Sequence, residues 1–538
     1  MDMDEFSEDV IPMSNAFKLL CEDSKPKLGK KELEKQRQTA KIIKNLVENA
    51  KIDLKFDYKN LDFWTQHNVK HPLHHLQKAV NSTSSSIPDF QWITPPKIDI
   101  LETLTTSEST EKVQIFIEIP SEILGNRDFL NLTYPVKRAH VASCVARILS
   151  AKFEKIEFSM GGVMRNDPIF PDLLVDGIRI GFNCKNLAKE KRFAPNIGNL
   201  RPATVFGETL FKGIEIATPK FNQRMLWSIL ESDLIQELEK HMKTHPTARL
   251  ALSLLQSMFE NRHLHQNFSR ILLTARVVRL IKSGRITEKQ EILTVLRVIF
   301  KDLMTWNSED VEYVDVENSE EDEEEYRQQF DVNLIWRHLN LAANLTKNQM
   351  IEMKKLLAIC YPLLGQVYSF DSIFIEKSPI FAHYDHVARI QISSAHLAPL
   401  LGEFGVDTVD SSDVIWQFMR NLEQRIEQTM AERFEFLGIH EILETTTKKW
   451  NIDEYAETET EKKKKTFLIG FRSTSGWKNP LTVGPAAQTN EAKEFRELWK
   501  ETSELRKFAD TRICECVVWA EKPSDKVPRA VLQFVLQK

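Results

Sequence analysis

The hydrophobic periodicity of this 538-residue chain changes twice, and this change limits the folds it can adopt. Residues 113–119 carry apolar side chains at every second position, as in a strand, and 135–151 follow with a helical pattern. From 224 to 304 the spacing is helical, and after 330 short strands and helices return. A chain of this length is too long for one core. The sequence therefore predicts two mixed αβ regions separated by a helical one.

We place the domain boundaries where composition and periodicity change. The predicted domains are, in chain order, an N-terminal tail and helix (1–80), a first αβ domain (81–205), a helical domain (206–327), a second αβ domain (328–522) and the start of a following domain that the chain lacks (523–538). Within the helical domain, 309–325 has eleven acidic residues and no basic one. Because such a run repels itself, we expect a solvated acidic loop there.

The two αβ regions also share a coarse order of strand, helix and strand. The first copy is predicted at 113–119, 135–151 and 156–160, and the second at 339–345, 347–364 and 372–375. Since few residues are identical between the copies, the expected repeat is one of architecture.

Bulk properties exclude several classes of protein. The net charge of −5 is not that of a polycation, so nucleic-acid binding would need local basic patches. The six cysteines are scattered and form no Cys-x-x-Cys pair, which indicates a reducing compartment and no zinc module. No window approaches the length of an uncharged membrane span, so we expect no membrane partner.

A mixed sheet followed by a helical domain is the layout of nucleotidyltransferases of the poly(A) polymerase type. These enzymes hold a triphosphate with a Gly-Ser turn and bind Mg²⁺ with two aspartates at Asp-x-Asp spacing, because alternate strand residues share a face. This chain has no Gly-Ser dipeptide, and its only Asp-x-Asp is Asp2 and Asp4, in the acidic N-terminal tail.

The strands that would carry the metal ligands lack them. In the first αβ domain, Gln114 and Phe116 stand where two aspartates are needed, and Glu118 is alone. The strand predicted at 339–345 has no carboxylate. One carboxylate cannot neutralise and orient two metal ions with a triphosphate. We therefore predict that both domains are inactive, with no catalytic residues, metal site or cofactor.

Four histidines, His67, His71, His74 and His75, have suggestive spacing for a metal site. No cysteine or clear carboxylate pattern completes a zinc site beside them. A surface helix or loop with histidines is the favoured interpretation.

Basic clusters are the candidate RNA contacts. The densest is Lys462, Lys463, Lys464 and Lys465, with Arg472 beyond it. Another set, Arg276, Arg279 and Lys282, recurs every three residues on one helix and could track phosphates. Each cluster has a simpler interpretation as a solvated face. The lysine run could equally be a nuclear import signal.

Several blocks of the chain resemble one known family. Near the C-terminus these are the segment from Leu481 to Pro485, a helix with Phe495 and Trp499, and a strand at Ile513–Trp519. Earlier segments, Ile117–Leu124 and Tyr384–Val387 among them, extend the match over residues 110–535. Together they resemble the nucleolar RNA-associated protein (Nrap) family, whose members are longer than this chain.

This resemblance implies an α+β or α/β multidomain fold. Tandem nucleotidyltransferase-like mixed-sheet domains would be separated by a helical domain like that of poly(A) polymerase and oligoadenylate synthetase. It also implies a non-catalytic scaffold in small-subunit ribosome biogenesis and pre-rRNA processing, located in the nucleus and nucleolus. The implied partners are pre-rRNA, the U3 small nucleolar ribonucleoprotein and other small-subunit processome proteins. The alternative is an active RNA nucleotidyltransferase, which the missing carboxylates disfavour.

Overall fold

The computed structural model of the protein describes residues 13–23, 30–82, 89–103, 112–161, 167–187, 190–200, 217–264, 267–315, 323–393, 411–442, 449–455, 464–519, 522–523 and 525–537. The chain forms two compact units. Unit 1 comprises Met1–Ser378, Leu401–Val414 and Glu444–Lys463, and unit 2 comprises Pro379–Leu400, Ile415–Leu443 and Lys464–Lys538. No helix in the described ranges is both long enough and apolar enough to cross a bilayer.

The strands are, in chain order, β1 (Lys55–Phe56), β2 (Phe90–Gln91), β3 (Ile98–Thr103), β4 (Lys112–Glu118), β5 (Ile156–Gly161), β6 (Asp167–Val175), β7 (Ile178–Asn183), β8 (Val311–Tyr313), β9 (Asn333–Trp336), β10 (Leu339–Asn340), β11 (His386–Ser393), β12 (Phe434–Ile442), β13 (Lys449–Asn451), β14 (Lys464–Ser473), β15 (Leu481–Ala486), β16 (Ser503–Lys507) and β17 (Ile513–Val518). The helices are α1 (Met13–Asp23), α2 (Lys30–Glu48), α3 (Gln77–Ser82), α4 (Thr133–Ser150), α5 (Pro219–Thr244), α6 (Pro246–Asn261), α7 (Arg270–Lys282), α8 (Ile292–Thr305), α9 (Glu323–Gln329), α10 (Lys347–Cys360), α11 (Phe370–Phe374), α12 (Ser411–Met430), α13 (Asn490–Trp499) and α14 (Val527–Gln537).

A six-stranded mixed sheet lies at the centre of unit 1, in the order β13-β5-β6-β7-β4-β3. Strand β4 runs parallel to β7, and the other neighbours are antiparallel. Helices α2 and α4 pack on β4 and β6, and α5 packs on β7. Residues Val113 to Ile117 are all buried, so both faces of β4 are covered.

The outer edge of β5 is closed by a short strand that follows β12 in the chain. Strand β13 pairs antiparallel with β5, and Trp450 lies opposite Phe158 with ring centroids 5.9 Å apart. Trp450 is buried. This added strand protects backbone groups of β5 that would otherwise be an unpaired edge.

Helices α5 to α8 form a bundle, and residues 328–378 pack with it instead of starting a second αβ domain. Helix α10 packs on α8 through buried side chains such as Met353 and Leu357. The prediction of a strand at 372–375 is wrong, because helix α11 covers most of this run and packs on α6. A short apolar run has no periodicity that separates strand from helix. The units divide near residue 378, not at the predicted 327/328 boundary.

The acidic segment predicted as a solvated loop contains ordered structure. Val311–Tyr313 is strand β8, which runs parallel to β9. Helix α9 begins at Glu323, and the intervening residues 316–322 lie outside the described ranges. The prediction is therefore wrong for 311–313, where backbone pairing and nearby cations offset the like charges.

Unit 2 contains two antiparallel three-stranded sheets, ordered β11-β14-β12 and β15-β17-β16. The strand, helix and strand of the expected repeat occur here as β11, α12 and β12, and not at the predicted 339–375. Leu422 and Ile426 of α12 pack with Ile469 of β14 in the core of this unit.

The C-terminal helix belongs to the same core. Val527 and Val531 of α14 are fully buried, and Phe534 stacks on Trp499 at 4.8 Å between ring centroids. Residues 525–537 are thus packed into unit 2, whereas the sequence predicted the start of another domain.

A tyrosine lies flat on a pair of glycines in the first sheet of unit 2. Gly438 and Gly470 are direct partners across β12 and β14. A Cβ atom at Gly470 would lie 2.3 Å from the Tyr384 ring, and the Tyr384 hydroxyl is 2.6 Å from His440 Nε2. The ring can approach the backbone this closely only because both positions lack a side chain.

We predict that Gly470→Ala destabilises unit 2 by about 1–3 kcal/mol, as overpacking does. The measurement is the free energy of unfolding from hydrogen exchange of β12 and β14. Tyr384→Ala is the matched background, because removing the ring makes room for the methyl group. In that background Gly470→Ala should cost much less. Equal costs in both backgrounds would show that the ring is not the obstacle.

Candidate functional site

The candidate site is the face of β4 and β7 that meets α5. Arg179 of β7 lies directly across from Gln114 of β4. Its guanidinium donates to Gln114 Oε1 at 3.2 Å and to Asp172 Oδ2 at 2.7 Å. It also donates to both Glu231 oxygens of α5, at 2.8 and 2.7 Å. A cation thus stands beside the strand position where a nucleotidyltransferase would hold metal ions.

The charges of this site neutralise one another. Asp172 is fully buried and is also paired with Arg138. Burial opposes ionisation of Asp172, but Arg179 and Arg138 together lower the pKa of its carboxyl group. Burial likewise opposes the charge on Arg179, yet Asp172 and Glu231 raise its pKa. Asp172 is therefore ionised, and guanidinium groups already engage both Asp172 and Glu231.

The rest of this face is filled by side chains. The ring of Phe116 lies over Gly181, where an added Cβ would be 2.9 Å from it. Asn183, the partner of Glu118 in β7, hydrogen-bonds through its amide nitrogen to Ser232 of α5. Across the described residues, no group of three histidine, cysteine or carboxylate side chains could hold a metal ion. The arrangement holds β4 against α5 through paired charges and packed side chains.

Sequence reasoning singled out Gln114, Phe116 and Glu118 but missed Arg179, Asp172 and Glu231. A signal was present, because Asp172 and Arg179 interrupt two strands that are otherwise almost wholly apolar. Buried strand charges are rare unless they are paired. Which charge pairs with which could not be read from spacing.

The sequence predicted that the four histidines lie on a surface helix or loop, but this is not true of all four. His71 is 1% exposed, and its ring centroid lies 4.4 Å from that of His140. His140 Nδ1 accepts from Trp64 Nε1 at 2.8 Å, and its Nε2 lies 2.7 Å from the Tyr58 carbonyl oxygen. Burial lowers the pKa of His71 and lowers that of His140 to about 4. Both rings are neutral parts of the core.

The predicted basic face of α7 points inward. Arg276 has a side chain only 2% exposed, and it pairs with Asp302 at 2.6 Å and with Glu312 at 2.5 Å. Arg279 also pairs with Glu312, and Lys282 pairs with Glu237 and Asp315. These cations hold the acidic segment around β8. Their environment is inconsistent with the predicted phosphate contacts, most clearly for Arg276.

The lysine cluster is only partly described. Lys462 and Lys463 lie outside the described residues, and Lys464 and Lys465 begin β14. Arg472, near the end of the same strand, has a half-exposed side chain and bonds to Asp385 at 2.8 Å.

Three models of one protein family match this chain in succession. Nrap protein domain 1 matches residues 48–244, the Nrap protein PAP/OAS-like domain matches 247–377, and Nrap protein domain 3 matches 380–538. The predicted fold class, with mixed-sheet domains on either side of a PAP/OAS-like helical domain, is confirmed by these matches and the sheets described above. The limit between the last two matches coincides with the division between the units.

Two relatives match most of this chain, but the match covers less than half of each relative's own length. Nucleolar protein 6 of Drosophila willistoni is 25% identical over 487 residues, covering 84% of this chain and 38% of the relative. Nucleolar protein 6 of Homo sapiens is 25% identical over 512 residues, covering 88% of this chain and 43% of the relative.

One solved structure with a weaker likeness is the Vibrio cholerae DncV cyclic AMP-GMP synthase with nonhydrolyzable GTP. It has a TM-score of 0.36 and 10% identity, covering 68% of this chain and 96% of the synthase. A TM-score this low does not by itself establish a shared fold.

We predict that Arg179→Met lowers the free energy of unfolding of unit 1 by about 3–5 kcal/mol, because Glu231 and Asp172 lose a buried partner. Urea denaturation followed by circular dichroism measures this loss. The matched control is Arg179→Met with Glu231→Met, which removes both members of one pair and should recover much of the stability. A single variant as stable as the parent would contradict the assigned role.

Acid should destabilise unit 1 through its buried histidines. Folded His140 resists protonation down to a pKa of about 4, whereas an unfolded histidine takes up a proton near 6.5. The stabilisation is complete above pH 6.5 and is lost as the pH falls towards 4, at up to about 1.4 kcal/mol per pH unit for each such histidine. Urea denaturation between pH 7.5 and 4.5 should show this slope.

The variant His71→Asn should flatten that slope, since asparagine cannot take up a proton and can still accept from the Leu73 amide as His71 Nδ1 does. His386→Asn, at an exposed position in unit 2, is the control and should leave the slope unchanged. The assignment fails if both variants behave alike.

Proposed function

Because the chain belongs to the Nrap family, we propose that it is a non-catalytic scaffold in nucleolar biogenesis of the small ribosomal subunit and in pre-rRNA processing. The observation that carries this proposal is the Arg179 network. Its cation bonds to Gln114 where metal ligands would stand, and α5 covers the same face. Such a face holds two structural elements together, which suits a protein that presents surfaces to other molecules.

The family also bears on where the chain works. Its relatives are named nucleolar protein 6, and the predicted nuclear and nucleolar localisation is confirmed at the level of the family. The chain spans less than half the length of these relatives, so the tasks of the longer proteins come to it only as proposals. The partners we propose are pre-rRNA, the U3 small nucleolar ribonucleoprotein and other small-subunit processome proteins.

The RNA-contacting residues we propose are the cations at the start and end of β14. These are Lys464, Lys465 and Arg472, with Lys462 and Lys463 preceding them in the chain. Arg276 and Lys282 are left out because carboxylates engage them where little of either side chain is exposed, whereas Arg472, which pairs with Asp385, has a half-exposed side chain. Positive side chains near one strand can bind phosphates without reading sequence.

An RNA nucleotidyltransferase remains the alternative, since the matched model of residues 247–377 is described as PAP/OAS-like. The assay incubates the chain with labelled nucleoside triphosphates, an RNA primer and Mg²⁺ or Mn²⁺. We expect no incorporation. Incorporation that Glu118→Gln abolishes would overturn the non-catalytic proposal.

We predict that the triple variant Lys464→Glu, Lys465→Glu and Arg472→Glu weakens RNA binding and lowers recovery of U3 RNA with the tagged chain. Each lost phosphate contact should reduce the slope of log affinity against log salt by about one. Lys289→Glu with Lys301→Glu, two exposed lysines in unit 1, is the control for a general change of charge. If both variants lose RNA binding equally, the assignment of RNA contacts to β14 is wrong. If no U3 RNA is recovered with the parent chain, the scaffold proposal is wrong.

A further inference from the structure

A cleft of about 560 Å³ lies within unit 2, outside the candidate site and the basic cluster. The end of α12 and the residues that follow it form one wall, β15 forms the second and α13 forms the third. Phe495 and Leu498, both partly exposed, contribute apolar surface to it. The cleft thus lies beside a strand and has an apolar lining for side chains.

One wall of the cleft is held in place by a buried cation. Arg433 is 3% exposed and donates to the carbonyl oxygens of Trp477 at 3.1 Å and Asn479 at 2.8 Å. It also donates to Thr482 Oγ1 at 2.9 Å. Burial lowers the pKa of Arg433, and no carboxylate in the described ranges forms an ion pair with it. These bonds order the start of β15 before any ligand arrives, which reduces the entropy cost of binding.

The strand that lines the cleft has an open edge. In the described structure β15 pairs only with β17, so one of its edges carries no strand. The Trp519 amide donates to the Pro480 carbonyl oxygen, and backbone groups alternate along an antiparallel pair. The backbone amide and carbonyl of Thr482 therefore face β17, and the backbone amide of Val483 faces the open edge. An unpaired edge of this kind accepts an added strand.

The accessible charge of the cleft is negative. Glu432, Glu491 and Glu494 line it, and none of them forms an ion pair within the described residues. Glu491 lies at the start of α13, where bonds from its own backbone amide and from Thr489 lower the pKa of its carboxyl group. Since the Arg433 cation is buried, a ligand meets the carboxylates first. Such a surface repels phosphates and attracts lysine and arginine side chains.

We propose that this cleft binds an extended basic peptide segment of a partner protein, which adds as a strand to β15. The apolar side chains of the peptide would contact Phe495 and Leu498, and its basic side chains would pair with the three glutamates. This inference names a class of partner for the proposed scaffold, but it rests on the cleft alone. Binding by the purified chain can therefore be measured whether or not the chain associates with U3 RNA.

The probe is a fluorescein-labelled decapeptide of alternating lysine and valine, titrated with the purified chain and followed by fluorescence anisotropy. Two control probes are a decapeptide of alternating glutamate and valine and a block peptide with all lysines before all valines. We expect saturable binding of the alternating basic peptide alone, because only this peptide has one basic and one apolar face as a strand. Equal binding of the block peptide would overturn strand addition.

Two variants separate the charge from the backbone contribution. Glu432→Gln with Glu494→Gln should weaken binding about tenfold, and the exposed Glu497→Gln on the same helix should not. Val483→Pro removes the outward amide and should abolish binding, whereas Val483→Thr keeps that amide and should not. Tryptophan fluorescence checks that each variant is folded. If the variants bind like the parent, or if a single-stranded RNA competes for this cleft, the proposal is wrong.

Discussion

The buried network around Arg179 is the interaction on which the first unit depends. Arg179 connects β7 to β4 through Gln114, to β6 through Asp172 and to α5 through Glu231. Buried charges are costly unless they are paired and hydrogen-bonded, so all partners must be present together. The network therefore ties the sheet to the first helix of the bundle. It also occupies the face of β4 and β7 that meets α5.

A second group of ion pairs decides which cations are available to bind other molecules. Arg276 and Lys282 engage Asp302, Glu312, Glu237 and Asp315, so an acidic segment and a basic helix neutralise each other inside the unit. The acidic segment can hold several like charges because opposite charges lie beside them in the folded unit. The glutamates of the cleft beside β15 form no ion pair among the described residues. The RNA contacts proposed at β14 and the peptide site proposed beside β15 therefore require partners of opposite charge.

Several features were predictable from local pattern alone. The alternation at Val113, Ile115 and Ile117 predicted β4, and the helical spacing after Arg224 predicted the bundle. Both signals are strong because each repeats over many residues. Short runs failed, as at Ser372–Ile375, where packing on α6 selects a helix. The predicted domain boundary was wrong for a related reason. The helical pattern of α10 does not indicate which core the helix joins.

The sequence by itself determined the family, the order of sheet and helical regions and the absence of aspartates at positions 114 and 116. These follow from residue identity and from periods of two or about four residues, which are local properties. Only the tertiary structure decided that Arg179 meets Glu231, that Arg276 is buried and that His71 lies in the core. Those outcomes depend on residues far apart in the sequence, as for Arg179 and Glu231 with a separation of 52 and for Arg276 and Asp302 with a separation of 26. The type of a charged residue does not indicate its partner, because the pairing depends on which elements pack together.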